Sequence, residues 1–173
     1  MNRKPLTRSQ LEEIIDVARG LKPADLVLRG AKTLDVFSGG WVNGDVAICQ
    51  GRIAGIGEKY EGKKVVVLKG RYLVPGFIDS HVHIESTMMT PGQFEKVALP
   101  RGTTCAIVDP HEIANVMGEE GIRYFLECAS KATMDIYVQL SSCVPATPAF
   151  ETSGAHLKAP NSLGQCKMRR NPH

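Results

Sequence analysis

Residues 76–86 read "GFIDSHVHIES", an extended run with two histidines one residue apart and a glutamate soon after. In a strand, side chains two apart share a face. Asp79, His81 and His83 are therefore predicted on one face, and Ile78, Val82 and Ile84 on the other, against covering helices. Two imidazoles at this spacing can reach one cation through Zn–N bonds of about 2.0–2.1 Å. They can equally serve as hydrogen-bonded side chains of a half-buried strand. Asp79, one step earlier on the same face, favours the first reading. A ligating histidine commonly gives its other ring nitrogen to a carboxylate that sets its tautomer.

Downstream, strand and helix patterns alternate. "TPGQFEKVALPRG" (90–102) predicts a short helical link, "TTCAIVD" (103–109) a second strand, "EEGIRYFLECASK" (119–131) a helix and "MDIYVQLSS" (134–142) a third strand. Such alternation predicts βαβ units in a parallel sheet or barrel. The second strand must stop at Pro110, which cannot donate to a central ladder. Asp109, His111 and Glu112 then stand at its carboxyl end, as His81, His83 and Glu85 stand at the carboxyl end of the first. Parallel neighbours bring such ends together, and α/β folds build their active sites there. Taken alone, Asp109 reads as well as a helix cap. His83-Ile84-Glu85 also fits the H-x-E of zinc nucleobase deaminases, but the P-C-x-x-C that class requires is missing from the sequence.

Upstream, Ser9 and Glu12 have the spacing of a capping box. Leu11, Ile14, Ile15 and Ala18 follow on one helical face, and Gly20 closes the helix. Residues 25–74 are short β-rich runs punctuated by Gly39-Gly40, Asn43-Gly44, Gln50-Gly51 and Lys69-Gly70. Dipeptides of this kind supply the positive φ of hairpin turns, so a small antiparallel β domain is predicted.

Of the 173 residues, 43% are hydrophobic and 23% charged, the composition of a globular chain. The net charge of +3 is local: Thr152–His173 holds four Lys and Arg and no acid, which leaves residues 1–151 at −1. No nucleic-acid surface is indicated. Five dispersed cysteines without C-x-x-C suggest neither a disulfide framework nor a cysteine zinc site. The first ten residues lead into no apolar stretch, and no run is long enough to span a bilayer, so no membrane partner and a cytoplasmic location are expected.

The β unit running into "PGFIDSHVHIES" resembles the entry to the amidohydrolase superfamily. "HVHIESTMMTP", "LPRGTTCAIVDPHEIANVMG" and "SSCVPATP" are similar to the adenine deaminase family within it. The resemblance implies the first three βα units of a (β/α)₈ barrel, behind a helix and a small β domain. The segments would be 1–24, 25–74, 75–154 and a divergent, disordered tail at 155–173. It implies hydrolytic deamination of the purine base adenine to hypoxanthine and ammonia at a di-metal centre of manganese, iron or zinc. On that pattern His81 and His83, with His111 less directly, match metal ligands, Asp79 holds their rings, and Glu85, Asp109 and Glu112 match catalytic positions. A hydantoinase- or dihydroorotase-like ring opener, or a non-catalytic fragment docking on a full-length relative, are the alternatives; a homo-oligomer is left open. A complete barrel takes roughly 250 residues, whereas 101 lie between Leu73 and His173. The metal centre is therefore expected to be incomplete, and the chain alone inactive.

Overall fold

A computed structural model describes residues 5–57, 59–141 and 144–157. They form two compact units, divided between Pro75 and Gly76. The fold is mixed α/β, with one sheet in each unit.

The first unit opens with helix α1 (Arg8–Ala18). Its capping box lies two residues before the predicted one. Thr7 Oγ1 accepts the Gln10 amide at 3.3 Å, and Gln10 Oε1 accepts the Thr7 amide at 3.0 Å. Thr7-x-x-Gln10 satisfies the same rule as Ser9-x-x-Glu12. Starting at Thr7 turns Val17 fully inward and brings Ile14 to the core, while Leu11 and Ile15 stay about half exposed.

Strands β1 (Ala24–Leu34), β2 (Trp41–Cys49), β3 (Arg52–Gly57), β4 (Gly62–Val67) and β5 (Tyr72–Leu73) follow. The sheet order is β3-β2-β1-β4, with β5 also beside β1. Val27, Ala47 and Cys49 close its core against Val17. The expectation of an antiparallel unit holds for β1–β2 and β2–β3, and the second hairpin turns at Gln50-Gly51, φ +52° and +65°. It fails for β4 and β5, which both run parallel to β1. Lys69-Gly70 is the reason. Although it has the φ > 0 of a hairpin dipeptide, it jogs the chain sideways without reversing it. Gly70 N–H donates to Gly30 O at 2.8 Å, so the jog sits against the bulge in β1 at Gly30, φ +67°. β4 and β5 are thus two pieces of one line, interrupted where β1 is interrupted.

Asp45 holds that bulge together. Its side chain is 6% exposed and accepts from the Gly30 amide at 3.0 Å, the Tyr60 amide at 3.4 Å and Arg29 Nε at 3.2 Å. Burial opposes its ionisation, but these donors outweigh burial and hold the carboxyl below its ordinary 3.8. A carboxyl depressed on folding stabilises above its unfolded pKa, and that contribution is lost as pH falls through the folded value. Asp45→Asn is expected to cost about 1–3 kcal/mol at pH 7 and to flatten the loss of stability below about pH 4. Urea midpoints of both proteins across pH 2–7 measure this, and parallel pH curves would refute it.

The second unit is a parallel sheet, β6 (Phe77–Val82), β7 (Thr103–Val108) and β8 (Asp135–Val138), in that order. A 3₁₀ turn (Ile84–Thr87) and α2 (Pro91–Ala98) connect the first pair. Helices α3 (His111–Met117) and α4 (Glu119–Lys131) connect the second. Ile84, Ala106, Val108, Phe125 and Met134 form the core, flanked by Val82, Phe94 and Ile113.

Three expectations change here. β6 ends at Val82, so His83 is the residue before the 3₁₀ turn, outside the strand. Its register against β7 is irregular at both ends, which breaks the simple alternation and leaves Ile78 66% exposed while Ile84 is wholly buried. The third strand stops at Val138, four residues early. Helix α3 was not legible as a helix, because seven residues between Pro110 and Gly118 show too little apolar periodicity. It is held by packing: a Cβ on Gly121 of α4 would lie 2.8 Å from Ile113 O, so the two backbones cross where only glycine fits.

Beyond β8, Leu157 N–H donates to Val144 O at 2.8 Å, and Leu157 packs against Ala114, Ile122 and Val144. Residues 158–173, which carry most of the predicted divergent tail, lie outside the described residues. Among the described residues no helix is long and apolar enough to cross a membrane.

Candidate metal centre

The carboxyl ends of β6 and β7 converge as parallel pairing requires. The Asp109 amide donates to Val82 O at 3.0 Å, extending the ladder one residue past the strands. That bond sets Asp109 beside the pair of histidines. One ligand atom each from His81, His83 and Asp109 lies within 4.8 Å of the others. His81 is exposed, and His83 and Asp109 are half-buried.

His81 Nε2 and His83 Nε2 are 3.1 Å apart, with the ring planes at 74°. Two imidazole nitrogens this close share either one proton or one cation. His83 Nδ1 lies 3.0 Å from Glu112 Oε2. An ionised carboxylate only accepts, so Nδ1 carries the proton and the Nε2 lone pair faces His81. That tautomer is the one a metal ligand needs. The second oxygen of Glu112 accepts the Ser86 hydroxyl at 2.9 Å. Burial raises the Glu112 carboxyl, but its own backbone amide, the Ser86 hydroxyl and the His83 ring bring it below the ordinary range, so it is ionised at neutral pH.

The remaining residues singled out in the sequence fall around this group. Asp79 Oδ1 accepts the His81 backbone amide at 3.3 Å, so its recorded contact is to main chain, and the carboxylate on a ring is that of Glu112. Glu85 Oε1 accepts the Ile113 amide at 3.1 Å, while its Oε2 is buried with no hydrogen-bond partner among the described residues. His111 stands with its ring 6.3 Å from that of His83 and its Nε2 3.0 Å from Asn115 Nδ2. The close three-atom group contains Asp109 in place of His111.

Sequence reasoning passed over three contributors. Ser141 donates its hydroxyl to Asp109, Ser86 holds Glu112, and Asn115 lies against His111. Ser141 had a readable signal, since it follows the third parallel strand at the sheet end where sites collect. Ser86 and Asn115 had none beyond their closeness to Glu85 and His111.

The donor set fits a divalent transition metal. Two imidazoles and a carboxylate are ligands for zinc, iron and manganese alike, and M–N bonds of about 2.0–2.1 Å readily span the 3.1 Å between the two nitrogens.

Residues 72–170 match the amidohydrolase family, and the chain belongs to that family. Within it, the similarity is to adenine deaminases. The adenine deaminase of Cereibacter sphaeroides is 55% identical over 152 residues, 88% of this chain and 27% of its own length. That of Brucella suis is 54% identical over 149 residues, 86% of this chain and 26% of its own. Adenine deaminase 2 of Carboxydothermus hydrogenoformans is 54% identical with the same coverage. The chain thus spans about a quarter of the length of these relatives.

Proposed function

We propose that this chain carries the opening part of an adenine deaminase site, built on three βα units of a (β/α)₈ barrel, in which adenine and water become hypoxanthine and ammonia. The observation that carries the reading is the group of His81, His83 and Asp109, with His83 already held in its ligand tautomer by Glu112. The named relatives support adenine as the base.

His81, His83 and Asp109 would hold a divalent metal, and a two-metal centre would take its further ligands from chain outside the matched quarter. When bound, such a metal lowers the pKa of water towards neutrality. The chain's own side chains do the rest. Glu112 keeps the proton on His83 Nδ1 and so keeps Nε2 aimed outward. Ser141 gives its hydroxyl to Asp109, orienting that carboxylate and leaving it acceptor capacity for a proton from the attacking water. His111, whose ring stands 6.3 Å from that of His83, would pass a proton toward the departing amine.

The test is a chimera in which residues 5–152 replace the matching stretch of the Brucella suis adenine deaminase. It is expected to release ammonia from adenine, and His81→Ala within it to lower the rate at least about 100-fold. A folded chimera without activity, or one indifferent to His81→Ala, would sink the proposal. The 173-residue chain by itself is expected to bind the metal and release no ammonia, since His81 is exposed and the group is open to bulk water.

A further inference from the structure

We propose that Glu85 is a positioning residue: its carboxylate caps α3 from across the loop and so holds Glu112 on His83. Resting on the metal-site reading above, the inference goes beyond it by giving Glu85 a part distinct from ligand or proton carrier.

Helix α3 begins immediately after Pro110, whose side chain offers no oxygen, and no side-chain cap comes from that residue. The first-turn amides of a helix have no partner within it. Glu85 supplies one from 28 residues earlier, accepting the Ile113 amide at 3.1 Å. Ile113 is the third residue of α3, the amide a capping side chain normally takes. Glu112, which holds His83 Nδ1 at 3.0 Å, is its direct neighbour. One loop therefore reaches the helix twice: Glu85 fixes the backbone at Ile113, and Ser86 fixes the Glu112 side chain at 2.9 Å. The far end is held as well, since Gly154 N–H and the Ser153 hydroxyl both donate to Asn115 O, at 2.9 and 3.1 Å. The last turn is thus tied at Asn115, and Glu85 ties the first turn, the one that carries Glu112.

Glutamine keeps the accepting oxygen and loses the charge, whereas alanine loses both. Three readouts on the full 173-residue chain separate the cases: Co²⁺ affinity from its absorption bands, Ile113 amide exchange, and the His83 ring tautomer from ¹⁵N shifts in metal-free protein. Glu85→Gln is expected to stay within about threefold of the parent in Co²⁺ affinity, with the Nδ1–H tautomer kept. Glu85→Ala is expected to bind Co²⁺ about 10-fold more weakly or worse, to expose the Ile113 amide to exchange and to mix the two tautomers. If glutamine loses as much as alanine, the charge acts at the metal and the proposal is wrong. It is equally overturned if neither variant moves the tautomer. Should Glu85→Ala fail to fold, Glu85→Asp takes its place: it keeps the charge but is one methylene too short for the Ile113 amide, and it is expected to expose that amide and mix the tautomers as alanine would. Co²⁺ binding that survives His81→Ala would instead refute the metal site itself, while the tautomer and exchange readouts would continue to test Glu85.

Discussion

Ile84→Ala is expected to destabilise the 76–157 unit by about 2–5 kcal/mol, the range for removing a fully buried isoleucine and leaving a cavity. Ile84 is 0% exposed and packs with Ala106, Val108, Phe125 and Met134, residues of β7, α4 and the approach to β8. It is also the residue between His83 and Glu85, in the 3₁₀ turn that sends one to the metal group and the other to α3. Part of the lost packing should therefore appear as weaker metal binding, because the turn that aims both side chains is anchored by this one. Ile78→Ala is the control. In the sequence it shares a face with Ile84, yet it is 66% exposed and its loss is expected to stay within about 0.5 kcal/mol. Urea midpoints of the two variants, with Co²⁺ affinity in the folded baseline, measure both effects. Equal losses would mean that the buried turn does not anchor the unit.

His83→Ala is expected to reduce Co²⁺ affinity by more than about 100-fold, beyond the 10–100-fold usual for losing a residue that only orients a ligand. His83 offers its Nε2 to the group while Nδ1 is committed to Glu112, so no other atom of the residue can substitute. Glu112→Ala should fall inside the orienting range, since Nε2 survives and only its tautomer is released. The order His83→Ala worse than Glu112→Ala is the checkable point. A reversed order would make Glu112 the ligand and His83 its holder, and would redraw the site around the carboxylate.

Much of the candidate site's grouping was legible in the sequence. H-x-H fixes a two-residue spacing, Pro110 ends a strand, and two parallel strands put Asp109 near His81 and His83 by pairing alone. The hidden part was which carboxylate serves which partner. Asp79 was the natural holder of a histidine ring by strand parity, yet the ring partner is Glu112, 29 residues further along. Parity describes one strand; it has no information about a helix whose start is pinned to a loop. The small sheet shows the same limit. Gln50-Gly51 and Lys69-Gly70 both adopt φ > 0, but one reverses the chain and the other sidesteps a bulge.

Local interactions of a few residues determined the sequence-readable features: a helix near the start of the chain, though its capping box is Thr7 and Gln10 and not Ser9 and Glu12, the alternation of β6, β7 and β8 with helices, and the grouping of ligand-type residues at strand ends. Contacts distant along the chain decided the rest. These are the parallel placement of β4 and β5 against the Gly30 bulge, the existence of α3, the Glu85–Ile113 cap and the Glu112–His83 pair. Turn propensity and hydrophobic period act over one or two turns of backbone, whereas a hydrogen bond across 28 residues forms only once packing of Ile84 and its neighbours has brought the two segments together.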